Sequence, residues 1–237
     1  MWIKICGNTS FEDASVAVVH GANAVGFVFA ESPRRVTPHA VRQITRQLPR
    51  NIEKYGVFVD TDFETIIDTV GVAGLTGVQL QTTADEKLAE RLRQHYAGLP
   101  HHFSILQGTH FVPDTDVFAA RLHAFHASGS VDAVLVDSRT ATQVGGTGIA
   151  FDWKAARGIF LREAPHLRLI AAGGLKPENV KKAIHTLRPW GVDVASGVEA
   201  QPGRKDPDRV AAFIRTARMA AVKLNKTAAA AHVESLL

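Results

Sequence analysis

Short apolar runs alternate with segments of helical period eight times along this chain, and no other feature restricts the fold as much. The runs fall at residues 2–6, 24–29, 55–59, 77–80, 103–106, 133–137, 167–171 and 192–195. Most are apolar on both faces, the pattern of strands buried in a parallel sheet. Between them recurs the i, i+3, i+4, i+7 stripe of an amphipathic helix. It passes through Phe63, Ile66, Ile67 and Val70, through Val180, Ala183, Ile184 and Leu187, and through Val210, Phe213, Ile214 and Ala217. Weaker stripes join Val41, Ile44 and Leu48, and Trp153, Ala156 and Phe160. A fifth helix is placed around residues 117–127. Ser10, Thr37, Asp152 and Asp206 stand where helices need caps, and Pro38 and Pro207 suit a first helical position.

Eight such units predict a single-domain α/β fold, a closed (β/α)8 TIM barrel over residues 1–223. An open doubly wound sheet is the rival, but it holds fewer units per domain and leaves two edge strands. Residues 224–237, with alanines from Ala228 to Ala231, form a tail that extends the last helix or frays.

Composition narrows the function. With 46% hydrophobic residues the chain can bury a full core without staples. Its one cysteine cannot form an internal disulfide, which suits a reducing, cytoplasmic setting. The opening Met1-Trp2-Ile3-Lys4 has no export-signal pattern, and no apolar run approaches the roughly 20 residues that span a bilayer. The net charge of +4 comes without a Lys/Arg run, so neither nucleic acid nor membrane is expected as a partner. A small anionic molecule suits it better. His101, His102, His123 and His126 lack carboxylates at ligand spacing, so no metal is expected.

In a barrel of this kind chemistry belongs to the loops after the strands. Three of those loops are built from small residues: Gly145-Gly146-Thr147-Gly148, Ala172-Gly173-Gly174-Leu175 and Ser196-Gly197-Val198-Glu199. Glycine lets backbone N–H groups approach an anion, and the loops of units seven and eight are the usual phosphate pair. Plain turn chemistry is the alternative. Cys6 ends the first strand and Asp137 the sixth. Each has an ordinary reading, a small buried hydrophobe and a loop cap. Together across a barrel mouth they can divide general base and general acid work. A free thiol, with a pKa of about 8.5, needs only modest activation for that.

Longer stretches carry a resemblance. They are Lys4-Ile5-Cys6-Gly7-Asn8-Thr9, Gly21-Ala22-Asn23-Ala24-Val25-Gly26-Phe27-Val28-Phe29, Ser32-Pro33-Arg34-Arg35-Val36 and Gly56-Val57-Phe58-Val59. Further on come the Gly145 loop with Phe151-Asp152-Trp153, Gly173-Gly174-Leu175 with Pro177-Glu178-Asn179-Val180, and Val192-Asp193-Val194-Ala195-Ser196-Gly197-Val198-Glu199. In this order, over about residues 2–218, the chain resembles the phosphoribosylanthranilate isomerase family of tryptophan biosynthesis.

The resemblance implies an Amadori rearrangement of an anionic phosphosugar adduct without metal or organic cofactor; whether the protein is a monomer or a homodimer is left open by the sequence. It implies Asp137 as the acid at the ribose ring oxygen and Cys6 as the base at C2. It implies Arg35 on the anthranilate carboxylate; the glycine loops read above place the phosphate contacts at Gly145, Gly146, Gly173, Gly174, Ser196 and Gly197. Asp193 meets the ribose hydroxyls or is a structurally paired carboxylate. Strand four departs from the family: it reads Val78-Gln79-Leu80-Gln81-Thr82 where Gln-Leu-His-Gly is usual. Gln81 can hydrogen-bond substrate but carries no proton or charge. The fifth unit lacks the family's lysine, and Lys176 replaces the usual asparagine before Pro177. An isomerase of another phosphosugar adduct and a catalytically silent phosphate-binding barrel are the other readings. Cys6, standing where that chemistry usually has the first of two carboxylates, speaks against the first; Cys6 and Asp137 together speak against the second, and Gln81 for it.

Overall fold

The computed structural model describes residues 1–59, 61–81, 86–110, 115–137 and 153–234. Among them, eight parallel strands close into a barrel in chain order: β1 (Trp2–Ile5), β2 (Ala24–Val28), β3 (Glu53–Phe58), β4 (Gly77–Leu80), β5 (Ser104–His110), β6 (Ala133–Asp137), β7 (Arg168–Ala172) and β8 (Gly191–Val194). Closure is made by β1, which pairs with β2 on one side and with β8 on the other, in the register Lys4 opposite Asp193. The helices are α1 (Phe11–Val19), α2 (Pro38–Thr45), α3 (Phe63–Ala73), α4 (Glu86–His95), α5 (Thr115–Ser128), α6 (Trp153–Glu163), α7 (Val180–Leu187) and α8 (Pro207–Glu234). The single-domain (β/α)8 barrel read from the alternation is the fold found, and the open sheet is excluded by the β1–β8 ladder.

The caps follow from local chemistry. Ser10 Oγ accepts from the Asp13 N–H, and Thr37 Oγ1 from that of Ala40. Asp206 Oδ1 accepts from the backbone of Asp208 and Arg209. Asp62 caps α3 in the same way and was not anticipated. Asp152 lies outside the described residues. Among the described residues no helix is long and apolar enough to cross a membrane.

Two features depart from the sequence reading. β5 runs on to His110, because its backbone continues to pair with β6 as far as Asp137. The apolar run ends at Leu106, but a ladder needs backbone groups rather than apolar side chains. After β8, a 3-10 turn (Ser196–Val198) leads into an antiparallel hairpin, β9 (Glu199–Gln201) and β10 (Arg204–Lys205).

Strand alternation sorts the core. Ile3 and Ile5 of β1 and Val134 and Val136 of β6 pack outward against helical residues such as Ala17, Phe118 and Phe213. Trp2, Tyr55, Leu106, Ala133, Leu135 and Ile170 form a second cluster facing inward. Trp2 meets Tyr55 edge to face at 5.9 Å between centroids, and its indole N–H reaches Glu53. Trp2 and Ala133 of this cluster lie at the end where the strands begin, and Leu135 reaches up to the other. The same parity puts Lys4 and Cys6 on the inward face of β1, and Asp137, two residues beyond Leu135, on that of β6.

Candidate active site

A cavity of about 200 Å³ opens where the barrel strands end. Cys6 and Asp137 both line it, from the ends of β1 and β6. Gln79 and Gln81 come from β4 and its C-terminal edge, and Asp193 from β8. The glycine loop after β7 contributes Gly173 and Gly174, both at positive φ (78° and 60°), where L side chains are strained. Ser196 contributes from the turn after β8. Its neighbour Gly197 lies against the carbonyl of Leu175 so closely that any Cβ would collide with backbone. The two loops are therefore locked side by side.

Beneath the cavity lies a buried charge cluster. Lys4 is 0% exposed, and its ammonium donates to Gln79 Oε1 at 2.6 Å and Asp193 Oδ1 at 2.9 Å. Cys6 is 5% exposed and sits beside it. A Cβ on Gly26 of β2 would come within 2.7 Å of Cys6 Sγ and 3.0 Å of Lys4 Cε. The glycine thus leaves room for both. Burial pushes the Cys6 thiol up, and Asp193 adds to this; Lys4 and Lys205 oppose it without reversing the sum. Burial pulls Lys4 down, but Asp193 and Cys6 more than restore it, and it stays charged above the ordinary lysine value.

A second network flanks the first. Arg34, in the loop after β2, forms a two-pronged pair with Glu199, Nε to Oε1 at 2.7 Å and Nη2 to Oε2 at 2.6 Å. Lys205 of β10 joins Glu199 at 3.0 Å and donates to the carbonyl oxygens of Cys6 (2.6 Å) and Ala195 (3.2 Å). The hairpin is thereby tied to the backbone that carries the thiol. Burial pushes the Glu199 carboxyl up, but Arg34 and Lys205 outweigh it and hold it below the usual glutamate value.

Removing this carboxylate leaves two cations short of their partner, so Glu199→Gln is expected to cost about 3 to 5 kcal/mol. A carboxyl whose folded pKa is depressed stabilises fully above its unfolded pKa, about 4.3 for glutamate. That contribution is lost as the pH falls through the lower folded value. A plot of Tm against pH should therefore lose part of its acid slope in the variant. An unchanged slope would remove Glu199 as a keystone.

The structure brings Cys6, Asp137, Gln81, Asp193, Gly173, Gly174 and Ser196 to one cavity. The Gln81 amide lies over Gly108 of β5, in the space that a Cβ there would occupy. Gly145 and Gly146 lie outside the described residues. Arg35 does not reach the cavity: its side chain is 60% exposed and pairs with Glu31 at 2.9 Å. Its neighbour Arg34, 21% exposed, lines the cavity instead. The bridge between Val28 and Arg35 and the bond from Val36 N–H to the Val28 carbonyl set which arginine turns inward. Nothing in a run of two identical residues reveals that. Lys4, Gln79, Glu199 and Lys205 were also missed. For Lys4 the strand parity was a usable signal, since Trp2 and Cys6 face the same way. Among the described residues no group of His, Cys, Asp and Glu is arranged to hold a metal ion.

A closed (β/α)8 barrel with a thiol, a carboxylate, an arginine and two glycine loops at the ends of its strands is an enzyme-type barrel with an anion-binding mouth. Its relatives make the class specific. The family model for N-(5'-phosphoribosyl)anthranilate (PRA) isomerase matches residues 3–216. An N-(5'-phosphoribosyl)anthranilate isomerase of Pelobacter propionicus is 38% identical over 217 residues, 91% of this chain and 95% of that protein. The crystal structure of phosphoribosyl anthranilate isomerase from Thermotoga maritima superposes with a TM-score of 0.78 at 34% identity, covering 92% of this chain and 98% of that one. A further crystal structure of such an enzyme, in complex with reduced 1-(o-carboxyphenylamino)-1-deoxyribulose 5-phosphate, gives 0.75 at 33% identity, with 92% of this chain and 98% of that one covered. The chain belongs to the N-(5'-phosphoribosyl)anthranilate isomerase family.

Proposed function

We propose that Asp137 and Cys6 divide the proton transfers by which this chain rearranges N-(5'-phosphoribosyl)anthranilate to 1-(2-carboxyphenylamino)-1-deoxyribulose 5-phosphate in tryptophan biosynthesis. Asp137 gives a proton to the ribose ring oxygen as the C1–O bond breaks. The lone pair of the anthranilate nitrogen closes the C=N bond of an iminium. Cys6, as thiolate, then takes the C2 proton, and the electrons of that bond flow to the iminium nitrogen. The resulting enolamine tautomerises, its hydroxyl proton leaving as C1 gains one, to the C2 ketone. No cofactor is called for, because the substrate's own iminium is the electron sink.

The supporting observation is the convergence of a thiol and a carboxylate from β1 and β6 on one cavity. Arg34 is assigned the anthranilate carboxylate in place of Arg35. Its guanidinium lines the cavity, and of its five N–H donors the pair with Glu199 takes two, which holds the charged plane in place toward a substrate carboxylate. Gly173, Gly174, Ser196 and Gly197 take the phosphate on their N–H groups; the sequence assigns Gly145 and Gly146 to the same phosphate. Gln81 supplies hydrogen bonds without proton transfer. Asp193 faces the ribose hydroxyls with the carboxylate that also holds Lys4. The single thiol fits a cytoplasmic enzyme.

The deciding experiment follows the fall in anthranilate fluorescence with freshly made N-(5'-phosphoribosyl)anthranilate. Absence of turnover in folded protein would sink the reading. Arg34→Gln should raise KM by about tenfold or more, the loss of a charged hydrogen-bonded pair. Arg35→Gln should leave KM within about twofold, as for an exposed ion pair. The reverse ranking would return the role to Arg35.

A further inference from the structure

An ammonium group carries three N–H donors and no acceptor. Lys4 is completely buried, so each of its donors needs a partner inside the barrel. Two are taken, by Gln79 Oε1 at 2.6 Å and Asp193 Oδ1 at 2.9 Å. Cys6 is the next neighbour: its Sγ and Lys4 Cε lie side by side over Gly26, at 2.7 and 3.0 Å from where a Cβ would stand there, and the lysine charge favours the thiolate. The register explains the convergence. Lys4 stands opposite Asp193 in the β1–β8 ladder, and Cys6 follows two residues later on the same face.

We propose that Lys4 is a positioning residue for the proton transfer at carbon, its ammonium fixed by Gln79 and Asp193 so that the remaining N–H meets Cys6 Sγ and holds the thiolate. A thiol sulfur accepts weakly, whereas a thiolate accepts a charge-assisted bond, so the contact favours the basic form. The role rests on Cys6 being the base. Lys4 does not line the cavity; it acts through the sulfur.

The charges facing Cys6 come from several elements. Lys4 is on β1, Asp193 on β8 and Lys205 on β10. Asp137 of β6 and Arg34 of the loop after β2 share the cavity with the neutral Gln79 and Gln81 from β4, while β2 sets Gly26 against the sulfur. Lys4 and Lys205 favour the thiolate and Asp193 opposes it. Deleting Lys4 and deleting the charge of Asp193 must therefore move the thiol in opposite directions.

Cys6 is the chain's one cysteine, so the ultraviolet absorbance of thiolate reports a single group, with Cys6→Ser as the blank. Lys4→Met should raise the titration midpoint by about one pH unit or more, a tenfold fall in thiolate at a given pH. Asp193→Asn should lower it, because Lys4 is then left to the sulfur. Opposite shifts support the proposal; unchanged midpoints, or shifts of one sign, overturn it. If Lys4→Met does not fold, Gln79→Leu decides, because it loosens the ammonium without removing a charge beside Cys6: a shifted midpoint supports the proposal and an unchanged one overturns it. The titration needs no turnover. A failed base assignment, read from the activity of Cys6→Ser, is thus told apart from a failed role for Lys4.

Discussion

Cys6→Ser is expected to lower kcat by about 10² to 10⁴, the usual share of a positioned general base. In free energy this is roughly 3 to 5 kcal/mol of the barrel's hold on the transition state. Serine keeps the size of the side chain, so the cavity and the packing over Gly26 survive. It does not keep the acidity, because a hydroxyl cannot be held as an anion by one neighbouring lysine. Affinity for a product analogue should stay near that of the parent, since phosphate and carboxylate contacts come from other elements. Burial pushes the thiol up in the free protein. The acid limb of kcat/KM, which reports the free enzyme, should then lie above the ordinary thiol value and vanish in the serine variant. Near-parental turnover by Cys6→Ser would end the assignment.

The barrel was readable from sequence because its strands are buried on both faces and its helices on one. Those two patterns differ in period, and eight repeats leave little freedom of topology. The same alternation made Cys6 and Asp137 legible, since each closes an apolar strand at the reactive end. What stayed hidden was set by contacts distant in sequence. Lys4 reads as an ordinary charge in a strand until β8 brings Asp193 to its side, 189 positions away. Glu199 and Lys205 become a hub only when the hairpin folds under Arg34. The choice between Arg34 and Arg35 depends on how the loop after β2 is pinned, and neighbouring identical residues hold no clue to it. The apolar run of β5 stops before the strand does, because its second half has polar side chains that leave the backbone ladder uninterrupted.

Asp137→Asn should lower kcat by a similar 10² to 10⁴, but at an earlier step. The carboxyl ends β6 with Leu135 and Ala133 below it on the same inward face, so an isosteric amide keeps the geometry. An amide cannot release a proton to the ring oxygen, and the C1–O bond then has to break to an unprotonated alkoxide. The two variants should be separable by trapping. With Cys6→Ser the ring still opens, and the iminium waits for a base that is absent. Borohydride should then capture the open-chain secondary amine on the protein. With Asp137→Asn the sugar stays cyclic and little is captured beyond the enzyme-free background. A double variant should lose little more than the slower single one, because blocking ring opening leaves the base nothing to act on. Equal trapping in both variants would mean that Asp137 does not gate ring opening. The division of labour between β6 and β1 would then have to be redrawn around a single residue.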